Sequence, residues 1–124
     1  MTMQAQAASL TDQDIVDLAA YFSGLNNQAA TGISNAGATE IQLGQEKSMT
    51  CQGCHGADGK APSSQWPNLG GQHKSYLLEA LRQYQRADRS DPIMGPLVGA
   101  LDDETLDQLA SFYAAQPGLS QPGR

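Results

Sequence analysis

The two cysteines of this 124-residue chain stand three positions apart, and a histidine follows the second: Cys51-Gln52-Gly53-Cys54-His55. A C-x-x-C-H run reads as a site for covalent attachment of a c-type haem. Two thiols at that separation can each form a thioether to one vinyl group of the porphyrin, and the adjacent imidazole then lies under the iron. A group held this way cannot dissociate, so a small chain can close a narrow crevice around it. Other chemistries use the same residues. A thioredoxin-like dithiol wants a βαβ context, which the hydropathy pattern does not supply. A zinc site of four cysteines is impossible with two. One of two cysteines and two histidines would need His73, the only other histidine, and His55 directly after Cys54 is poorly placed for shared chelation.

Composition bears on what surrounds that motif. Leu, Ile, Val and Phe number 21 of 124, about 17 %, a lean supply for a core. Net charge is only −6 and helical periodicity is clear, so disorder is not the reading. A haem is large, flat and mostly apolar, and would add the missing buried area. The plainer alternative is an Ala-rich helical domain of modest stability. Thirteen acids against seven bases leave no basic stripe for nucleic acid. No run of eighteen apolar residues is present, so no transmembrane segment is expected. Met1 to Leu10 has neither the basic start nor the apolar run of a signal peptide. Covalent haem attachment in bacteria takes place on the outer side of the inner membrane. The expectation is therefore a signal removed or replaced, or a chain cut from a longer one.

Seven stretches of helix or loop organise the chain. Residues 10–25 form a marked amphipathic helix, with Ile15, Leu18, Ala19, Phe22 and Leu25 on one face. Thr11 and Asp14 stand in capping-box position, and Leu10 and Ile15 are placed as a hydrophobic staple. Residues 26–38 lack periodicity and read as a linker. Residues 39–50 read as a short helix capped by Thr39, in which Gly44 would let another helix approach. Residues 56–74 form a long loop holding Trp66, Pro67 and Leu69. Residues 75–87 return to helix, with Tyr76, Leu77, Ala80, Leu81 and Tyr84 on one face and Arg82, Arg86 and Arg89 towards the other, a solvated one. Residues 88–100 read as a loop because two prolines forbid a continuous helix. Met94 lies in that loop; a lone loop methionine is usually packing, but a thioether is also a known sixth ligand of haem iron. Residues 101–115 form the last helix, and the tail after Pro117 looks frayed.

The first and last helices repeat. A shift of 91 positions places Met3 on Met94, Leu10 on Leu101, Asp12 on Asp103, and Ile15, Leu18 and Ala19 on Leu106, Leu109 and Ala110. Tyr21-Phe22 fall on Phe112-Tyr113. No second C-x-x-C-H precedes the first copy.

These residues together resemble a class I c-type cytochrome, and within that class the C-terminal haem domain of the dihaem cytochrome c4 family. The resemblance is carried by C51-QG-C54-H55-GADGK, W66-P67-N68-L69-G70-G71-Q72, Y76-LLEALRQY, Met94 and the closing helix. It implies an all-α class I cytochrome c fold, helices around one haem, with an extra N-terminal amphipathic helix. Residues 39–116 would be the monohaem domain, 1–25 the remnant closing helix of a preceding cytochrome domain, 26–38 the linker and 117–124 the tail. By the same resemblance, one haem c per chain is bound by thioethers from Cys51 and Cys54, with His55 as proximal and Met94 as distal ligand of the iron. The Pro67 carbonyl would accept a hydrogen bond from His55. Trp66, Gln72 and Tyr76 would lie near the haem edge and propionates. Met3 is expected to coordinate nothing.

The implied function is periplasmic one-electron transfer, without enzymatic activity, in a protein that is soluble or membrane-associated. Implied partners are redox proteins: a donor dehydrogenase or cytochrome complex, and an acceptor terminal oxidase or reductase. The orphan N-terminal helix could cover its apolar face against its own domain or against a second copy, the latter giving a homo-oligomer. The alternative is a haem enzyme or ligand sensor with an open sixth position, such as a small peroxidase. Lys60, Lys74, Arg82, Arg86 and Arg89 either give the haem edge a basic character or are scattered, solvated bases.

Overall fold

The computed structural model of the chain describes residues 2–24 and 37–118. Among these residues it is all-helical: α1 (Thr2–Ala7), α2 (Asp12–Gly24), α3 (Ala38–Lys47), a 3-10 turn (Ser48–Thr50), α4 (Gln52–His55), α5 (Lys74–Gln85), α6 (Met94–Gly99) and α7 (Asp103–Ala114). The helices group into two compact units, α1–α2 and the remaining five.

In the first unit the capping box forms reciprocally. Thr11 N donates to Asp14 Oδ2 at 3.0 Å, and Asp14 N donates to Thr11 Oγ1 at 3.1 Å, satisfying two donors that a helix start leaves free. Ile15, Val16, Leu18, Tyr21 and Phe22 are exposed, and no residue of α2 is buried. The 91-residue offset recurs in the backbone: Met3 and Met94 each lie in the first turn of a six-residue helix, and Asp12 and Asp103 each begin the long helix that follows.

The second unit is built on the crossing of α3 and α7. Leu106, Leu109, Ala110, Phe112, Tyr113 and Ala114 of α7 are buried. Gly44 makes the crossing close: a Cβ there would meet the Gln108 carbonyl oxygen and stand 2.7 Å from Phe112 Cβ. The few buried polar groups are largely matched within their own turns. Ser48 Oγ donates to Gln45 O at 2.7 Å, and Ser111 Oγ to Asp107 O at 2.9 Å. Asp102 caps α7 by accepting from Thr105 N at 2.8 Å. Helix α5 packs on α7, tied at its start by Lys74 Nζ to Asp107 Oδ1 at 3.0 Å.

Three boundaries differ from the sequence reading. Helix α3 starts at Ala38 with extended Gly37 at the cap position and no side-chain cap, so Thr39 lies inside the helix rather than capping it. Residues 88–100 are not wholly loop, because α6 forms within them. Pro96 is its third residue, where the first-turn N–H has no partner in the helix to lose. The helix at 75–87 ends at Gln85, and Ala87 takes a positive φ of 60° that turns the chain back. Most of the expected linker and tail, residues 25–36 and 119–124, lies outside the described residues.

Candidate functional site

A cavity of about 340 Å³ opens between α4, α5, α6, α7 and the loop after His55. The loop that walls one side is held by its own backbone. Leu69 N donates to Gly59 O at 2.7 Å, Ala61 N to Asn68 Oδ1 at 2.8 Å, and Gly71 N to Tyr113 O on α7 at 3.0 Å. Gly59 permits this closure: its φ is +81° and a Cβ would run into the Gly70 backbone.

Helix α4 is one turn long and delivers Cys51, Cys54 and His55 to the cavity. Both thiols are free and partly buried. Burial pushes the Cys51 thiol above its ordinary value; a hydrogen bond with Thr50 opposes this, and the neighbouring Cys54 adds to it. His55 is buried at 5 % exposure. Its Nδ1 lies 2.8 Å from Pro67 O. A carbonyl only accepts, so Nδ1 carries the proton and Nε2 keeps its lone pair.

Met94, half-buried, lines the same cavity at the start of α6. Asp91 holds the approach to it: Oδ1 accepts from Ile93 N and Met94 N, each at 2.8 Å. These two backbone donors, Met94 first, hold the Asp91 carboxyl below the usual carboxylate range.

All eight residues singled out from the sequence line this cavity: Cys51, Cys54, His55 and Met94, and with them Trp66, Pro67, Gln72 and Tyr76. The whole expected apolar face of α5 does so too. Tyr113 and Arg89 join them. Tyr113 is 3 % exposed, and its hydroxyl has no partner of hydrogen-bonding geometry. Desolvation first, then the Cys51 thiol, push its phenol up to about 12; Ser48 offsets part of this, although its hydroxyl donates to Gln45. Arg89, read from the sequence either as a base at the haem edge or as a solvated one, lines the cavity. Its guanidinium carbon stands 5.8 Å from both the Tyr76 and Tyr84 ring centres, and Nη2 donates to Tyr76 Oη at 3.1 Å. Two of the other bases weighed for the haem edge are paired with acids. Lys74 pairs with Asp107, and Arg86 with Glu79 and Asp88.

The donor set fits a haem c. Two adjacent thiols, an imidazole with a bare nitrogen and a thioether open into one mainly apolar space, which suits a large apolar ring with a metal at its centre. Among the described residues no cluster of three or more His, Cys, Asp or Glu could hold a metal ion. A zinc site has no complete ligand set there.

Residues 41–114 match the cytochrome c family model. The chain is 35 % identical over 95 residues to cytochrome c4 of Pseudomonas aeruginosa, covering 74 % of this chain and 47 % of that protein. It is 34 % identical over 82 residues to cytochrome c-554(548) of Halomonas halodenitrificans, covering 64 % of this chain and 99 % of that protein. The structure superposes on reduced recombinant cytochrome c4 from Pseudomonas stutzeri with a TM-score of 0.80 at 26 % identity, covering 94 % of this chain and 66 % of that one. The chain thus spans about half the length of the cytochrome c4 relative it matches.

Proposed function

The chain belongs to the cytochrome c family, and we propose that it is a one-electron carrier with a single covalently attached haem c. Cys51 and Cys54 would hold the group by thioether bonds, and His55 Nε2 and Met94 Sδ would ligate its iron. When bound, haem c supplies an iron that passes between the ferrous and ferric states. The protein sets the terms of that exchange. Pro67 O fixes the tautomer and direction of His55. The soft thioether of Met94 favours the less charged iron, and the apolar walls from α5 and α7 act in the same direction by excluding water. With His55 and Met94 both ligating the iron, the group would keep no position for a substrate, which separates a carrier from a haem enzyme or ligand sensor.

The observation that carries this reading is the single cavity shared by Cys51, Cys54, His55 and Met94, with His55 Nδ1 committed to Pro67. Residues 39–116 act as the haem domain and 117–124 as its tail. Residues 1–25 are the closing helix of a second such unit, joined by a linker at 26–38; the repeated offset of helix starts supports this. The working compartment is the bacterial periplasm, where haem is attached. The partners are redox proteins, a dehydrogenase or cytochrome complex on the donor side and an oxidase or reductase on the acceptor side. No helix among the described residues is long and apolar enough to cross a membrane.

A pyridine haemochrome spectrum tests the attachment, with one haem c per chain expected. Absorption spectra then test the ligands: the wild type is low-spin in both oxidation states, and Met94→Ala becomes high-spin. A wild type that is already high-spin and takes up carbon monoxide readily refutes the carrier reading.

A further inference from the structure

The segment that presents Met94 is weak by composition. Helix α6 has six residues, two of them glycine and one proline, too short and too poor in helix formers to persist alone. Side-chain packing adds little. Val98 is its one buried residue, while Ile93 and Leu97 on either side of Met94 are 44 % and 47 % exposed.

Hydrogen bonds from outside the helix meet both of its ends. At the N-terminal end Asp91 Oδ1 accepts from Ile93 N and Met94 N, and Asp91 O accepts from Gly95 N at 3.1 Å. At the other end Gln85, on α5, donates Nε2 to Val98 O at 2.9 Å and to Leu101 O at 2.7 Å. Gln85 is thus a bridge from a well-anchored helix. Leu77 of α5 is buried, and Lys74 pairs with Asp107 of α7.

We propose that Asp91 and Gln85 are positioning residues for the Met94 thioether, and that their two-ended hold sets how firmly Met94 keeps its place against competing small ligands. The inference rests on the reading of Met94 as an axial ligand. A ligand on a mobile segment spends part of its time withdrawn, and an exogenous ligand then binds in proportion to that fraction. Each side chain contributes two hydrogen bonds to a backbone with few other partners, so losing either one raises the withdrawn fraction directly.

The experiment uses the ferric, haem-loaded protein and imidazole as the competing ligand, with the far-red charge-transfer band of methionine-ligated ferric haem as a second readout. Asp91→Ala removes the one oxygen that accepts both bonds, and imidazole affinity should rise about tenfold or more. Asp91→Asn keeps an acceptor oxygen and should stay within about threefold of wild type. Gln85→Glu keeps the size but turns an acceptor towards two carbonyls, and should match Asp91→Ala; it carries the test if Asp91→Ala does not fold. Asp102→Ala is the control for a merely structural role: it removes an equally short cap at Thr105 N, on α7. It should lower the melting temperature and leave imidazole affinity unchanged.

If Asp91→Ala and Gln85→Glu lose thermal stability but bind imidazole as wild type does, with the methionine band intact, the inference is overturned. A wild type that lacks the band and binds imidazole as tightly as Met94→Ala overturns instead the reading beneath it.

Discussion

Replacing Gly44 by alanine puts one methyl group where α3 and α7 touch. Built on the native backbone, that methyl stands 2.7 Å from Phe112 Cβ and 2.8 Å from the Gln108 carbonyl carbon, and meets the Gln108 oxygen as well. Carbon atoms pack at about 3.5–4.0 Å, so the helices must part by close to an ångström. The atoms in the way are α7 backbone and a Cβ, which cannot swing aside. Moving α7 displaces Leu106, Leu109 and Phe112, the centre of the core. Alanine gains about 1 kcal/mol over glycine in helix propensity. Overpacking of this kind costs about 1–3 kcal/mol, towards the upper end where backbone is met. The net loss is about 1–2 kcal/mol, or a drop in melting temperature of about 5–15 °C for a domain of this size. Far-ultraviolet circular dichroism of the haem-loaded protein, heated at fixed pH, measures it. Gly99→Ala is the reference, because a Cβ there has no heavy atom within 4 Å, and it should melt at or slightly above wild type. A Gly44→Ala protein that melts with Gly99→Ala refutes the close-crossing argument.

Ala87 sits in the left-handed region just past the end of α5, so Ala87→Gly should stabilise by about 0.5–1 kcal/mol, read as a higher denaturant midpoint at constant slope. The Asp102 carboxyl is held below its ordinary 3.8, first by its side-chain bond to Thr105. Its contribution to stability is therefore complete above that value and lost as pH falls through the lowered native one; Asp102→Ala should flatten that limb of the stability–pH curve. Tyr113 shows the opposite sign. Its phenol is raised from 10.0 to about 12, so the native state holds a proton the unfolded chain releases, and stability should fall as pH rises from 10.0 to about 12. Tyr113→Phe should remove that loss in alkaline titrations followed by circular dichroism. Deleting residues 1–30 tests the exposed face of α2: light scattering should show a dimer becoming a monomer, and a monomer in both forms rejects pairing through that helix.

Much of the site was readable because its chemistry is local. The C-x-x-C-H run and the apolar spacing of residues 76–84 lie on single elements, and each lines the cavity where periodicity puts it. The capping box at Thr11 and Asp14 closes within three residues. Arg89 allowed two readings because its place depends on where the helix ends; it ends at Gln85, and Ala87 turns Arg89 back over Tyr76 and Tyr84. Nothing in the sequence marks Gln85, since its partners lie 13 and 16 residues away, Val98 in the stretch expected to be loop and Leu101 at the start of the expected last helix. Tyr113 looked like half of an aromatic pair repeating Tyr21-Phe22. Only the packing of α7 against α3 and the loop shows that one member lines the cavity while the equivalent residue of α2 stays exposed.

The lean aliphatic content and the cavity are two views of one arrangement. Leu77, Leu109, Ala110 and Tyr113 are at once part of the buried core and part of the cavity wall, so a group filling the cavity completes the packing on that side of α7. Cys51 packs against that same cluster, and its burial raises the thiol and lowers its thiolate fraction. A buried, protonated thiol is the poorer nucleophile.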